Sequence, residues 1–145
     1  MDRVDRRTFL AGSAAAAATL AAWPAKRAHG HGVARSPAIE RVAVVDRAVA
    51  DSAAFAAAVR VRGLRLFEFT SDAAHVWMHE LEPRLRSGSL EIVGHTSPAT
   101  LFCLELLARD YGADAAQPLG ESTWLIATSP TRRAPLAPRI QQRQG

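Results

Sequence analysis

From residue 39 onward, short apolar runs alternate with capped stretches of helix length, and that alternation leaves few folds open. Val42-Ala43-Val44-Val45, within 39–46, is apolar without a break and too short for a helix, as a strand covered on both faces would be. Asp51 or Ser52 can cap a helix running to Arg62, with Phe55, Ala58 and Val59 on one side and Gly63 as its stop. Residues 64–70 read as a second strand, in which Arg65 and Glu68 interrupt Leu66, Phe67 and Phe69. The spacing predicts a second helix from about Asp72 to Glu82, ended by Pro83, and a turn at Ser87-Gly88.

Residues 89–95 hold Leu90, Ile92 and Val93 and read as a third strand. Ser97 then caps a third helix with Pro98 at its first position, running to Tyr111 with Gly112 beyond. That helix is apolar nearly all round, through Leu101, Phe102, Cys103, Leu104, Leu106 and Leu107, which predicts deep packing with the Glu105 and Arg109 pair on the wet side. Residues 113–121 are too rich in turn signals for another helix. Trp124-Leu125-Ile126-Ala127 is the last strand, and 114–118 can pair with it across the Leu119-Gly120-Glu121 turn.

These elements predict a small three-layer α/β domain over 38–130, with a mostly parallel sheet of four to five strands, half-Rossmann or flavodoxin-like. A domain of this size buries roughly 60–65% of its unfolded surface, a modest core. Residues 29–37, His-Gly-His-Gly-Val-Ala-Arg-Ser-Pro, read as a linker, and 131–145, rich in Pro, Arg and Gln, as a disordered tail. The single cysteine, Cys103, excludes an internal disulfide framework.

The formal charge of +4 invites a nucleic-acid reading until the charges are placed. The basic excess lies at the two ends, through Arg3, Arg6, Arg7, Lys26 and Arg27, and through Arg132, Arg133, Arg139 and Arg143. Residues 29–130 carry nine basic against twelve acidic side chains, so the domain itself gives no support for nucleic-acid binding.

Residues 1–28 read as an export address. A charged start is followed by an apolar, Ala-rich stretch of about a dozen residues with small residues near its end. Asp5-Arg6-Arg7-Thr8-Phe9-Leu10 closely resembles the twin-arginine signal pattern of bacteria, in which Arg6 and Arg7 precede a polar residue, Phe9 and Leu10. The resemblance covers about a fifth of the chain, and Lys26 and Arg27 after the apolar stretch also fit it. It implies a protein that meets the twin-arginine translocase, crosses the inner membrane already folded and works in the periplasm or outside the cell. An uncleaved anchor is the alternative, but 9–23 is short of the ~20 residues that span a bilayer, so the mature form is expected to have no stable membrane span. Cleavage is expected after Ala21 or Ala22, with Ala28 a poorer small-residue site.

Ligands in open α/β sheets sit beyond the carboxyl ends of the strands. Three polar groups fall there: Asp46, then Thr70-Ser71-Asp72, then Gly94-His95-Thr96-Ser97. The last would offer backbone donors, hydroxyls and an imidazole to an anion or carbonyl at a helix start. Such residues are also the ordinary caps and turn formers, so Asp46, Thr70, Asp72, His95, Thr96 and Ser97 stand either as ligand contacts or as caps alone. There is no G-x-G-x-x-G, no P-loop and no G-x-S-x-G elbow, so a nucleotide site or a hydrolase has no motif behind it.

Two histidine pairs raise metal binding. His75 and His79 share one side of the second helix but lack a third ligand. His29 and His31 would chelate Cu(II) or Ni(II) with a free amine if cleavage falls after Ala28. Cys103, Trp77 and Trp124 read as packing; the Met78 and Leu81 side of the second helix is expected to be partly open, in which case Trp77-Met78 would form a partner surface. The reading that follows is an exported accessory or ligand-binding protein, acting on a periplasmic protein or a small molecule, with no cofactor identified. A small enzyme built around His95 and a copper or nickel carrier through His29 and His31 are the alternatives.

Overall fold

The computed structural model describes residues 39–128. The segments read as signal, linker and tail therefore lie outside the described residues, as do positions 38, 129 and 130 at the ends of the predicted domain. The described chain is a mixed α/β fold: β1 (Glu40–Asp46), α1 (Ser52–Val61), β2 (Arg65–Phe69), α2 (74–87), β3 (Leu90–His95), α3 (Pro98–Arg109), β4 (Gln117–Pro118) and β5 (Thr123–Ala127).

The five strands lie in the order β2-β1-β3-β5-β4. β1 runs parallel to both β2 and β3, pairing Val44 with Phe67 on one side and with Gly94 on the other. β5 is antiparallel to β3, with Gly94 opposite Trp124, and β4 is antiparallel to β5. The expected pairing of the 114–118 region with the last strand is present. The sheet is only partly parallel, where a mostly parallel one was expected: β2-β1-β3 pair in parallel, while both pairings made by β5, with β3 and with β4, are antiparallel. The reason is local: α3 carries the chain across to β4, which points the same way as β3, and the turn at 119–122 then returns β5 into the space between them, antiparallel to both.

Period-two alternation sends each strand's side chains to two cores. On one face Ala43, Val45 and Val93 meet Phe55, Ala56 and Val59 of α1. On the other, Val42, Val44, Ile92, Trp124 and Ile126 meet Val76, Trp77, Leu81 and Leu85 of α2 and Leu104 and Ala108 of α3. Val42 to Val45 are fully buried, as the unbroken apolar run requires of a strand with neighbours on both edges and helices on both faces.

Two helices differ from expectation. α2 does not stop at Pro83: α-helical Ala74–Val76 passes through a π-helical turn, Trp77–Leu81, into α-helical Glu82–Ser87. The Glu82 N–H reaches back five residues to the Trp77 carbonyl, so the wider turn absorbs the missing N–H and the ring of Pro83. This rotation buries Leu81 and Trp77 while Met78 stays exposed, so Leu81 does not belong to the open side and Trp77-Met78 is not one surface. α3 is not deeply packed. Leu104 and Ala108 are buried, but Phe102, Cys103, Leu106 and Leu107 are exposed, which corrects the core reading of Cys103. One sheet face shared by two helices leaves each only a single buried stripe.

Candidate functional site

The strand order reverses around β1, so the crevice between the carboxyl ends of β1 and β3 is the natural place for a ligand. It is filled by the chain itself. Asp46, at the end of β1, is buried, and its Oδ1 accepts hydrogen bonds from the Ala48 N–H (2.9 Å) and the Ser71 N–H (3.1 Å). It thereby ties the β1–α1 turn to the β2–α2 turn and holds Ser71 at a left-handed φ of 61°.

His95, at the end of β3, is 4% exposed and stacks on Phe55 at 5.3 Å between ring centroids. Its Nε2 lies 2.7 Å from the Ala50 carbonyl oxygen and its Nδ1 3.0 Å from Thr123 Oγ1. A carbonyl can only accept, so Nε2 carries the proton; in the neutral ring Nδ1 then accepts from the Thr123 hydroxyl. Both ring nitrogens are occupied, and the imidazole pins the β1–α1 turn across the crevice. Gly94 belongs to the strand rather than to a turn. A Cβ there would lie 2.0 Å from the Trp124 ring, so glycine makes room for the indole.

The remaining strand-end residues are also committed. Thr96 is 1% exposed; its Oγ1 accepts from Trp124 Nε1 (2.9 Å) and donates to the Ser97 carbonyl (3.2 Å). Ser97 caps α3, accepting from the Thr100 N–H at 3.2 Å and donating to Thr100 Oγ1 at 3.1 Å. Asp72 is exposed and accepts from the Ala74 N–H at 2.9 Å, opening α2. Thr70 is exposed. Asp51 stands before α1 in the left-handed region and makes no side-chain cap. Among the described residues no buried side-chain nitrogen or oxygen lacks a partner. The structure thus gathers Asp46, His95, Thr96 and Ser97 near the strand ends, each with an internal task.

Open space lies to either side. A cleft of about 230 Å3 separates α3 from the β4–β5 hairpin, between Leu101, Pro98, Ala116 and Trp124; there Glu105 accepts from the Ala116 N–H at 3.2 Å. A larger groove, about 370 Å3, runs between the β2–α2 turn and α3. Its walls are Ala73, Ala74, Trp77, Ala99, Leu104 and Leu107, with Ser71, Asp72, Thr100 and Cys103 also lining it. Its size and apolar lining suit a small ligand. Of its lining, Asp72 is among the strand-end residues expected to be ligand contacts or caps, whereas Ala99, Thr100 and Leu107 are not. The signal was the second apolar stripe on α3, which a small domain has too few elements to cover.

His75 and His79 are exposed with ring centroids 4.4 Å apart. Among the described residues no group of three or more His, Cys, Asp or Glu side chains could hold a metal ion. His29 and His31 lie outside the described residues, as do Arg6, Arg7, Phe9 and Leu10. No helix among the described residues is long and apolar enough to cross a membrane. Comparison with protein-family models, curated proteins and solved structures gives no match, so the geometry alone carries the functional argument.

Proposed function

We propose that the chain is an exported, non-catalytic binding protein that takes a small, largely apolar ligand in the groove between the β2–α2 turn and α3. One contrast carries the reading. The polar side chains beside the crevice are spent on internal hydrogen bonds, while the groove leaves apolar side chains partly open beside a polar rim. An enzyme built on His95 is disfavoured for the same reason, because a general base needs a free nitrogen within reach of substrate.

Export by the twin-arginine route rests on the resemblance of residues 5–10 to that signal. A half-Rossmann or flavodoxin-like relation rests on the β2-β1-β3 order of the parallel strands, from which the antiparallel β4–β5 pair departs.

The test is native mass spectrometry of the protein recovered from the periplasm of a twin-arginine-competent host. A small-molecule mass should accompany the chain and be lost on Ala74→Phe, which fills the groove from an exposed position. Replacing Arg6 and Arg7 together by Lys should leave the precursor in the cytoplasm. A bare chain, or a bound mass that survives Ala74→Phe, overturns the groove. A second protein in the spectrum makes the chain an accessory subunit instead, and a copper or nickel increment on a chain starting at His29 makes it a carrier.

A further inference from the structure

On α2, three side chains with metal-donor atoms share one open face. His75, Met78 and His79 stand at i, i+3 and i+4, the triangle that a helix presents on one side. All three are exposed, Met78 at 54%, and none of them lines the ligand groove. Unlike His95, neither histidine hydrogen-bonds through its ring to another described residue, and the ring contact each makes is with the other. The fold gives the two imidazoles no internal task. No further histidine, cysteine or carboxylate among the described residues joins them, so the third donor on this face is the Met78 sulfur.

We propose that His75, His79 and Met78 form a copper-ion site. Separation is the first argument. A metal held by one nitrogen of each imidazole at about 2.0 Å sets the ring centroids roughly 4.5 Å apart at a right angle and roughly 5 Å apart at a tetrahedral one. The rings stand at 4.4 Å, tilted by 42°. That is the spacing of a right-angle chelate, which suits tetragonal Cu(II) or Ni(II) better than tetrahedral zinc. The π-helical turn contributes to it. In an α-helix a residue four positions on overshoots its predecessor by about 40°, and the wider turn that begins at Trp77 takes up part of that angle. The turn that lets α2 pass Pro83 thus also draws His79 over His75.

Donor chemistry is the second argument. Imidazole suits copper, a thioether selects it as Cu(I), and magnesium and calcium need oxygen instead. The carboxylates nearest in sequence are engaged elsewhere. Glu80 pairs with Arg84 at 2.8 Å, Glu82 accepts from Tyr111 and Arg86, and Asp72 holds the Ala74 N–H. For a site of this kind, affinity among the divalent ions peaks at Cu(II). The two nitrogens and water oxygens hold Cu(II) in a plane, with Met78 a weak axial ligand, while for Cu(I) the sulfur is a full one. Met78 is unbranched and flexible enough to serve both. The site goes beyond the ligand groove and does not depend on it.

The test is a Cu(II) titration of the full chain against glycine as competing chelator, followed by electron paramagnetic resonance. His29 and His31 are both replaced by Ala in the protein used, so that the upstream pair takes no part. One equivalent of Cu(II) should bind with a tetragonal spectrum carrying two imidazole nitrogens, more tightly than Ni(II) or Zn(II). His75→Ala and His79→Ala should each weaken it at least about tenfold, with circular dichroism unchanged because both side chains are exposed. Met78→Leu should leave Cu(II) affinity within about twofold and weaken Cu(I) at least about tenfold. The Cu(I) titration is anaerobic, against bicinchoninate, with Cys103→Ser added to remove the exposed thiol. Copper held as tightly after both histidine substitutions, or zinc held as tightly as copper, overturns the site. Equal Cu(I) affinity with and without the Met78 sulfur overturns the three-donor set.

Discussion

At the end of β3, one position has no tolerance for a side chain. Gly94 faces Trp124 across the antiparallel pair, and the indole lies where a Cβ would be. The ring cannot swing away cheaply, because its Nε1–H is bound to Thr96 Oγ1 and the side chain is 2% exposed. Gly94→Ala should therefore destabilise the domain by about 3 kcal/mol, through overpacking and displacement of that hydrogen bond. In a thermal melt this is a fall of more than about 10 °C. Combining it with Trp124→Leu, which removes the clash, should cost less than the sum of the two single changes, a non-additivity that a double-mutant cycle measures. Strict additivity would mean that the ring and the missing Cβ do not share the space. The sequence contains this glycine in a run of Gly, His, Thr and Ser that also spells a ligand-binding turn. Nothing local separates the two readings, because the residue that decides, Trp124, is thirty positions away.

Among the elements, α2 and the end of α3 are joined by one short hydrogen bond. The Tyr111 hydroxyl donates to Glu82 Oε1 at 2.6 Å, and Arg86 Nη2 donates to the same oxygen at 2.8 Å. The Tyr111 hydrogen bond, and after it Arg86, holds the Glu82 carboxyl below its usual value, with burial opposing. Because the folded value is depressed, the stabilisation is present above the ordinary glutamate pKa of about 4.3. It fades as pH falls through that value and is gone below the folded one. Tyr111→Phe keeps the edge contact of the ring with Trp77 and removes the hydroxyl. It should lower the melting temperature by a few degrees at pH 7 and narrow the gap between variant and parent as pH falls from about 5 to about 3. Parallel melting curves across that range would show that the hydroxyl contributes nothing to the acid dependence. The boundaries of α2 illustrate what was readable at this scale. The caps of α3, Gly63 after α1 and the last hairpin follow from local chemistry and were legible. The passage of α2 through Pro83 was not, since a π-helical turn is selected by how Trp77 and Leu81 reach the core. The open stripe on α3 was hidden for a related reason: an apolar residue states a preference for burial, and only the number of available neighbours decides whether it is met.

For the molecule as a whole, His95 joins the sheet to α1 and to the β1–α1 turn at the carboxyl end of β3. The ring grows from β3, stacks on Phe55 of α1, holds the Ala50 carbonyl of the β1–α1 turn and meets Thr123 of β5. Its removal leaves a cavity under α1 and strips partners from the Ala50 carbonyl and the Thr123 hydroxyl. His95→Ala should thus cost about 3 kcal/mol, the sum of a lost buried ring and two hydrogen-bonding groups left without it. A urea titration reads this as a midpoint lower by about 1 to 2 M with the slope retained. Phe55→Leu should remove part of the same contribution, so that the two changes together cost less than their sum. A catalytic imidazole behaves in the opposite way: its replacement abolishes turnover and leaves the midpoint where it was or raises it, since active-site groups are often kept against stability. The sign of the midpoint shift for His95→Ala therefore separates a pin between layers from an acid or base. A fall places the histidine in the scaffold and leaves the ligand to the groove beside α3.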